Sequence, residues 1–222
     1  MTLRRTADNW LWIAAALSLG ISLTRWGTLV LYPFRLFTTW VHECGHAIMT
    51  LIVGGRVNSI VIERNAAGVT SSLIPEGRVT QGLVASAGYL GASVVGCALL
   101  VAARRKQDAH GILWTIGAFM LVTLVIWIRN PFGFAVVLVW SVALIALSRQ
   151  GSGPVSSFVL SLLAVQVALD SVYDIRVLFL VHGGHSDADT MAKLFVLPSW
   201  AWASLWMLMS IGLLTWTFRR TR

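Results

Sequence analysis

Residues 34–53 read FRLFTTWVHECGHAIMTLIV, and Gly54-Gly55 closes the run. A bilayer crossing takes roughly 20 residues at the helical rise, so this stretch has the length of one span. His42-Glu43-Cys44-Gly45-His46 stands near its middle. An ionised carboxylate at the centre of a membrane helix costs about 2.5–3.5 kcal/mol on insertion scales. A helix that only spans has no reason to carry Glu43 between two histidines. The stretch reads as a membrane helix built around a polar site.

Positions four apart share one helix face, with Cβ atoms about 5–6 Å apart. His42 and His46 so placed can share a single Zn²⁺, with Glu43 beside them as general base. Zinc lowers the pKa of water towards ~7 and makes hydroxide available at neutral pH. The purpose of such a site is to hydrolyse an amide. The plain alternative is a polar cluster that only stabilises helix packing.

The rest of the chain agrees with a membrane setting. Of its 222 residues 57% are hydrophobic and 12% charged, about half the charge of an ordinary soluble domain. Too little polar side chain remains to coat a globule in water. Further apolar segments fall at about 10–31, 82–102, 111–128, 132–147, 157–181 and 199–218. Arg25 and Gly27 interrupt the first, and Pro33 is expected to separate it from the segment quoted above. The N-terminal run follows Arg4-Arg5 like a signal peptide but has no small-residue cleavage site, and reads as a retained anchor. The expected fold is an all-α, multi-pass transmembrane bundle of about six to seven segments, one membrane-embedded domain over 1–222.

The net charge is +8, with basic residues blocked at segment ends: Arg4-Arg5, Arg104-Arg105-Lys106, and Arg219-Arg220 with Arg222. Such blocks set orientation and touch anionic headgroups. They imply a lipid bilayer rather than nucleic acid as partner. The direction of insertion stays open, because the first block conflicts with the other two. Cys44 and Cys97 lie inside apolar runs and read as small buried side chains.

Residues 54–81 are not a span. Two alternating β-branched runs, Arg56 to Glu63 and Val69 to Ile74, flank the turn-like Asn65-Ala66-Ala67-Gly68 and predict a small β-hairpin at the membrane surface. It is either a plain connector or a strand edge able to add an extended peptide.

A catalytic zinc takes three protein ligands and keeps one position open. Gln166, Asp170 and Asp174 form a stripe down one face of the 157–181 run. Carboxylates there are expensive unless paired or coordinated. Asp174 is the expected third ligand, and Asp170 the reserve or a partner orienting a histidine ring. An ion pair of the stripe with Arg35, Arg129 or Arg176 is the competing reading. Glu63 is a weaker ligand candidate, because it falls in the hairpin. Gly88, Ala92 and Gly96 read as a packing seam that docks against the zinc helix. His182, His185, Asp187 and Asp189 suggest a second metal, against the simpler reading that Ser186 or Asp187 caps a short helix through Leu194.

The His42–His46 motif in a membrane helix, followed by Gly54-Gly55-Arg56-Val57 and a hairpin, resembles the site-2 protease family of intramembrane zinc metalloproteases. Ser86 to Gly91, Tyr173 to Arg176, and Ser186-Asp187-Ala188 followed by Leu197-Pro198 resemble its short bacterial, peptidase-like branch. The resemblance implies hydrolysis of peptide bonds in or near transmembrane segments of membrane proteins, in the bacterial inner (plasma) membrane. It implies zinc on His42, His46 and a later aspartate, with Glu43 as general base. Where better-known members carry an acid, Asn130-Pro131-Phe132-Gly133 has none. A catalytically silent scaffold and a membrane metal transporter or sensor are the alternatives. The substrate and the oligomeric state are not fixed by the sequence.

Overall fold

The computed structural model describes residues 2–105, 108–179 and 186–220. Among them are eight helices and one hairpin: α1 (Thr2–Ser22), α2 (Gly27–Ile52), β1 (Arg56–Ile62), β2 (Gly68–Leu73), α3 (Arg78–Arg104), α4 (Ala109–Ile126), α5 (Pro131–Gln150), α6 (Gly153–Val177), α7 (Asp187–Leu194) and α8 (Ser199–Arg220). Five helices, α3, α4, α5, α6 and α8, are long and apolar enough to cross a membrane. With α2 and the shorter apolar stretch Trp10–Ser22, they fit the expected six to seven segments.

The first boundary differs from the sequence reading. The chain breaks at Leu23–Trp26, and α2 then runs through Pro33 without interruption. Proline lacks the N–H that would bond the Leu29 carbonyl, so the helix gives up one hydrogen bond there and still continues. Here the Pro33 carbonyl accepts the indole N–H of Trp140 on α5 at 3.1 Å, and Phe34 packs edge-on against the same ring.

Helix α2 is held on several sides. Trp40 donates its indole N–H to Thr123 of α4 at 3.0 Å. Glycines carry the close contact with α3: a Cβ on Gly45 would strike the Ala87 carbonyl, and one on Gly91 would reach Gly45 at 3.4 Å. Helix α3 in turn meets α6 at Gly96, beside Ala168, and α8 through the Ser93–Ser210 hydroxyl pair at 2.7 Å. Small residues let helices approach where lipid gives no hydrophobic drive for association. The outward faces stay apolar and open, as at Val125 and Leu208.

Gly54, at a left-handed φ of 81°, ends α2 and turns the chain into the hairpin. The strands pair antiparallel as expected, with an irregularity between Val57 and Ser59. The hairpin folds back along α2 instead of projecting from its end. Thr39 donates to the Ala66 carbonyl at 2.8 Å, and Tyr32 to the Arg64 carbonyl at 2.5 Å. Tyr32 is about 30 Å up the helix from Ile52, at 1.5 Å per residue. The outer edge of β1 is closed by the α4–α5 loop. Ile60 exchanges backbone bonds with Trp127 and Arg129, and the Asn130 amide bonds both the N–H and the carbonyl of Ile62.

Candidate metal centre

His42 and His46 lie on the face of α2 turned toward α3 and α7. Their Nε2 atoms are 3.0 Å apart. Asp187 Oδ2, in the first turn of α7, stands 3.3 Å from each. Ser186 carries Asp187 there by capping α7: its hydroxyl accepts from the Asp189 N–H, and the Asp189 carboxylate accepts from the Ser186 N–H. Ala188 and Met191 pack the short helix against Ala85 of α3 and Ala203 and Trp206 of α8.

The protons make this cluster incomplete by itself. His46 Nδ1–H donates to the Val84 carbonyl at 2.7 Å. In the neutral ring that leaves a lone pair on Nε2, facing a carboxylate oxygen. Two acceptors so close need positive charge between them, from a further proton or from a metal ion. Burial by itself would raise the Asp187 carboxyl, yet the two imidazoles hold it well below the usual carboxylate range.

The donor set fits a metal. Tetrahedral bonds of about 2.0–2.1 Å to nitrogen and oxygen put neighbouring ligand atoms about 3.3–3.4 Å apart, close to the separations here. The space beside the imidazoles exists because residue 88 is glycine. A Cβ there would fall within contact distance of Nε2 of both His42 and His46. The rings are braced from behind, since Tyr89 meets His42 edge-on at 4.6 Å and stacks on Trp206 at 5.2 Å. Among the described residues, His42, His46 and Asp187 are the one group of three able to hold a metal ion.

Glu43 is 4% exposed. Thr70 of β2 donates to its Oε2 at 2.6 Å. The hairpin therefore lies directly over the candidate base.

The expected third ligand, Asp174, is not in the cluster. It sits half-buried on α6, within electrostatic reach of His42 and Arg35. Asp170 accepts a hydrogen bond from Thr38 at 3.1 Å, and Gln166 is buried. The stripe faces the interior as expected, but Asp187 occupies the position beside both imidazoles. Glu63 is exposed at the end of β1, away from the cluster. The packing seam does dock on the histidine helix, through Gly88. His182 and His185 lie outside the described residues, so the second-metal reading reduces to Asp187, which joins the first site, and Asp189, which completes the cap. In the sequence Asp187 stood as a member of a possible second metal site, as a cap candidate and within the Ser-Asp-Ala resemblance, but nothing there tied it to His42 and His46.

Searches among curated proteins and solved structures give no match. Residues 12–217 match the family model described as Peptidase M50B-like. Five apolar helices and this match make the protein an integral membrane protein. With nearly the whole chain covered and a His/His/Asp cluster on the motif helix, the protein belongs to the Peptidase M50B-like family, within the site-2 proteases.

Proposed function

We propose that the protein is an intramembrane zinc endopeptidase that cuts peptide bonds in or near transmembrane segments of other membrane proteins. The observation that carries this reading is the convergence of His42 Nε2, His46 Nε2 and Asp187 Oδ2, with Glu43 next in sequence to His42. His42, His46 and Asp187 would hold the zinc, with Asp187 taking the place that the sequence reading gave to Asp174. When bound, the ion polarises a carbonyl and lowers the pKa of water.

The chain's own groups do the rest. Glu43 takes the proton from the attacking water and returns it to the leaving amine. The Val84 carbonyl holds the His46 tautomer that leaves Nε2 free. The bundle admits water to them while lipid surrounds the outside. A helical substrate must unwind locally, because its own hydrogen bonds shield its carbonyls. With the outer edge of β1 closed by the α4–α5 loop, β2 carries the edge on which an extended substrate would add as a strand. The setting is the bacterial inner membrane, with a membrane-protein or peptide substrate as partner.

Asp187 supports this reading over a silent scaffold, since it supplies the acid that Asn130–Gly133 lacks. A single three-residue cluster among the described residues supports it over metal transport, which needs a succession of sites. The test is purified protein in lipid. Wild type is expected to carry about one zinc and to cleave a membrane-protein substrate. Glu43→Gln keeps the metal and loses cleavage. Equal cleavage by that variant removes the mechanism.

A further inference from the structure

Residues 68 and 70 lie on the same face of β2, because successive side chains of a strand alternate. Both meet the Glu43 carboxylate. Thr70 donates to Oε2 at 2.6 Å, with the Glu43 backbone carbonyl as a more distant acceptor at 3.1 Å. Gly68 makes room at the other oxygen: a Cβ there would stand 2.5 Å from Oε1 and 2.6 Å from Cγ. The backbone does not demand that glycine. Positive φ among the glycines occurs at Gly54 and Gly77, not at Gly68. Residue 68 is small for space.

The strand carrying this pair is itself fixed. Thr39 holds the turn at Ala66, and Gly68 pairs with Ile62, whose backbone is clasped by Asn130. We infer that β2 is a mould for the catalytic base, in which Thr70 is a positioning residue that holds Oε2 and Gly68 leaves the room that Oε1 occupies. The inference rests on the proteolytic reading for the role of Glu43 and adds a task to the hairpin besides substrate docking. A carboxylate with one oxygen tied by a hydroxyl and the other seated against a glycine is held in one orientation. Misplacing a reacting group by about 1 Å can cost on the order of 10²-fold in rate.

The test uses full-length, zinc-loaded protein in detergent or lipid, with fluorescein-labelled casein as the unfolded probe substrate. Thr70→Val and Gly68→Ala are expected to lower kcat by about 10–100-fold while KM and zinc content hold, and Thr70→Ser should restore kcat. Thr70→Val with unchanged kcat, or Thr70→Ser as impaired as Thr70→Val, overturns the inference. A second measurement needs neither zinc nor cleavage. In metal-free protein, Thr70→Val should lower Tm by about 2–4 °C beside Glu43 and by clearly less in a Glu43→Ala background. Equal losses in the two backgrounds overturn the contact. If wild type binds zinc yet leaves casein intact, the proteolytic reading fails on that probe, while this cycle still decides whether Thr70 holds Glu43.

Discussion

Asp187 Oδ2 and His42 Nε2 lie 3.3 Å apart although 145 positions separate them in the chain. The same oxygen is 3.3 Å from His46 Nε2. Replacing Asp187 by Asn keeps the size of the side chain and removes its charge. Asp187→Asn is expected to lose zinc when dialysed against a chelator at a concentration the wild type withstands. Asp174→Asn is expected to keep it. Metal content by atomic emission decides between the two acids, and loss from Asp174→Asn with retention in Asp187→Asn would reverse the assignment.

Gly88 offers a prediction in which fold and site part company. Glycine in a helix interior is worse than alanine by about 0.8–1.0 kcal/mol, so Gly88→Ala should favour helix α3 locally. The added methyl group would occupy the space against His42 and His46 Nε2. The expected variant is well folded by circular dichroism and depleted of zinc. Full zinc occupancy would mean that the ion lies elsewhere.

The serine cap of α7 is a lever on the same site. The Ser186 hydroxyl accepts from the Asp189 N–H at 3.1 Å, and the Ser186 N–H donates in return to the Asp189 carboxylate at 3.3 Å. Losing such a cap costs about 0.5–2 kcal/mol. Because Asp187 is the next residue, Ser186→Ala should loosen the carboxylate along with the helix end. A weaker zinc affinity is expected, with Asp187 itself intact, and Ser186→Thr should recover most of it. Competition with a chromophoric chelator measures both.

Much of this arrangement was legible in the sequence, for reasons particular to a membrane. A span must be about 20 residues long and apolar, so α3, α4, α5, α6 and α8 announce themselves by hydropathy. The hairpin was legible because alternation and an Asn/Gly turn are local signals. His42, Glu43 and His46 are local too, one helical turn apart. The third donor is not. Which distant acid returns to α2 depends on how α7 packs through Met191 and Ala188 against α3 and α8, and no spacing within α6 or α7 encodes that. Asp174 has the burial expected of a ligand on a spanning helix, whereas Asp187 looked like a helix cap because its neighbour Ser186 is one. Pro33 was misread for a related reason: the helix around it is packed by Trp140, which bonds its carbonyl from 107 positions away.

Asn130 supplies the last prediction. In sequence it begins a motif without its acid, and in the structure it does other work. Its side-chain oxygen accepts from Ile62 N–H at 3.2 Å, and its NH₂ donates to Ile62 O at 2.7 Å. One amide thus closes the edge of β1 as a neighbouring strand would. Ile62 is fully buried, so removing the amide leaves two backbone groups without partners, and an unsatisfied buried group costs about 1–3 kcal/mol. Asn130→Ala should therefore speed amide hydrogen exchange along β1 and β2, while α4 and α5 exchange as before. The zinc site is built on α2 and α7, so its metal content should hold. If the hairpin exchanges at the wild-type rate, Asn130 does not anchor it, and the mould over Glu43 must be held by Thr39, Tyr32 and the Ile60 backbone bonds to Trp127 and Arg129.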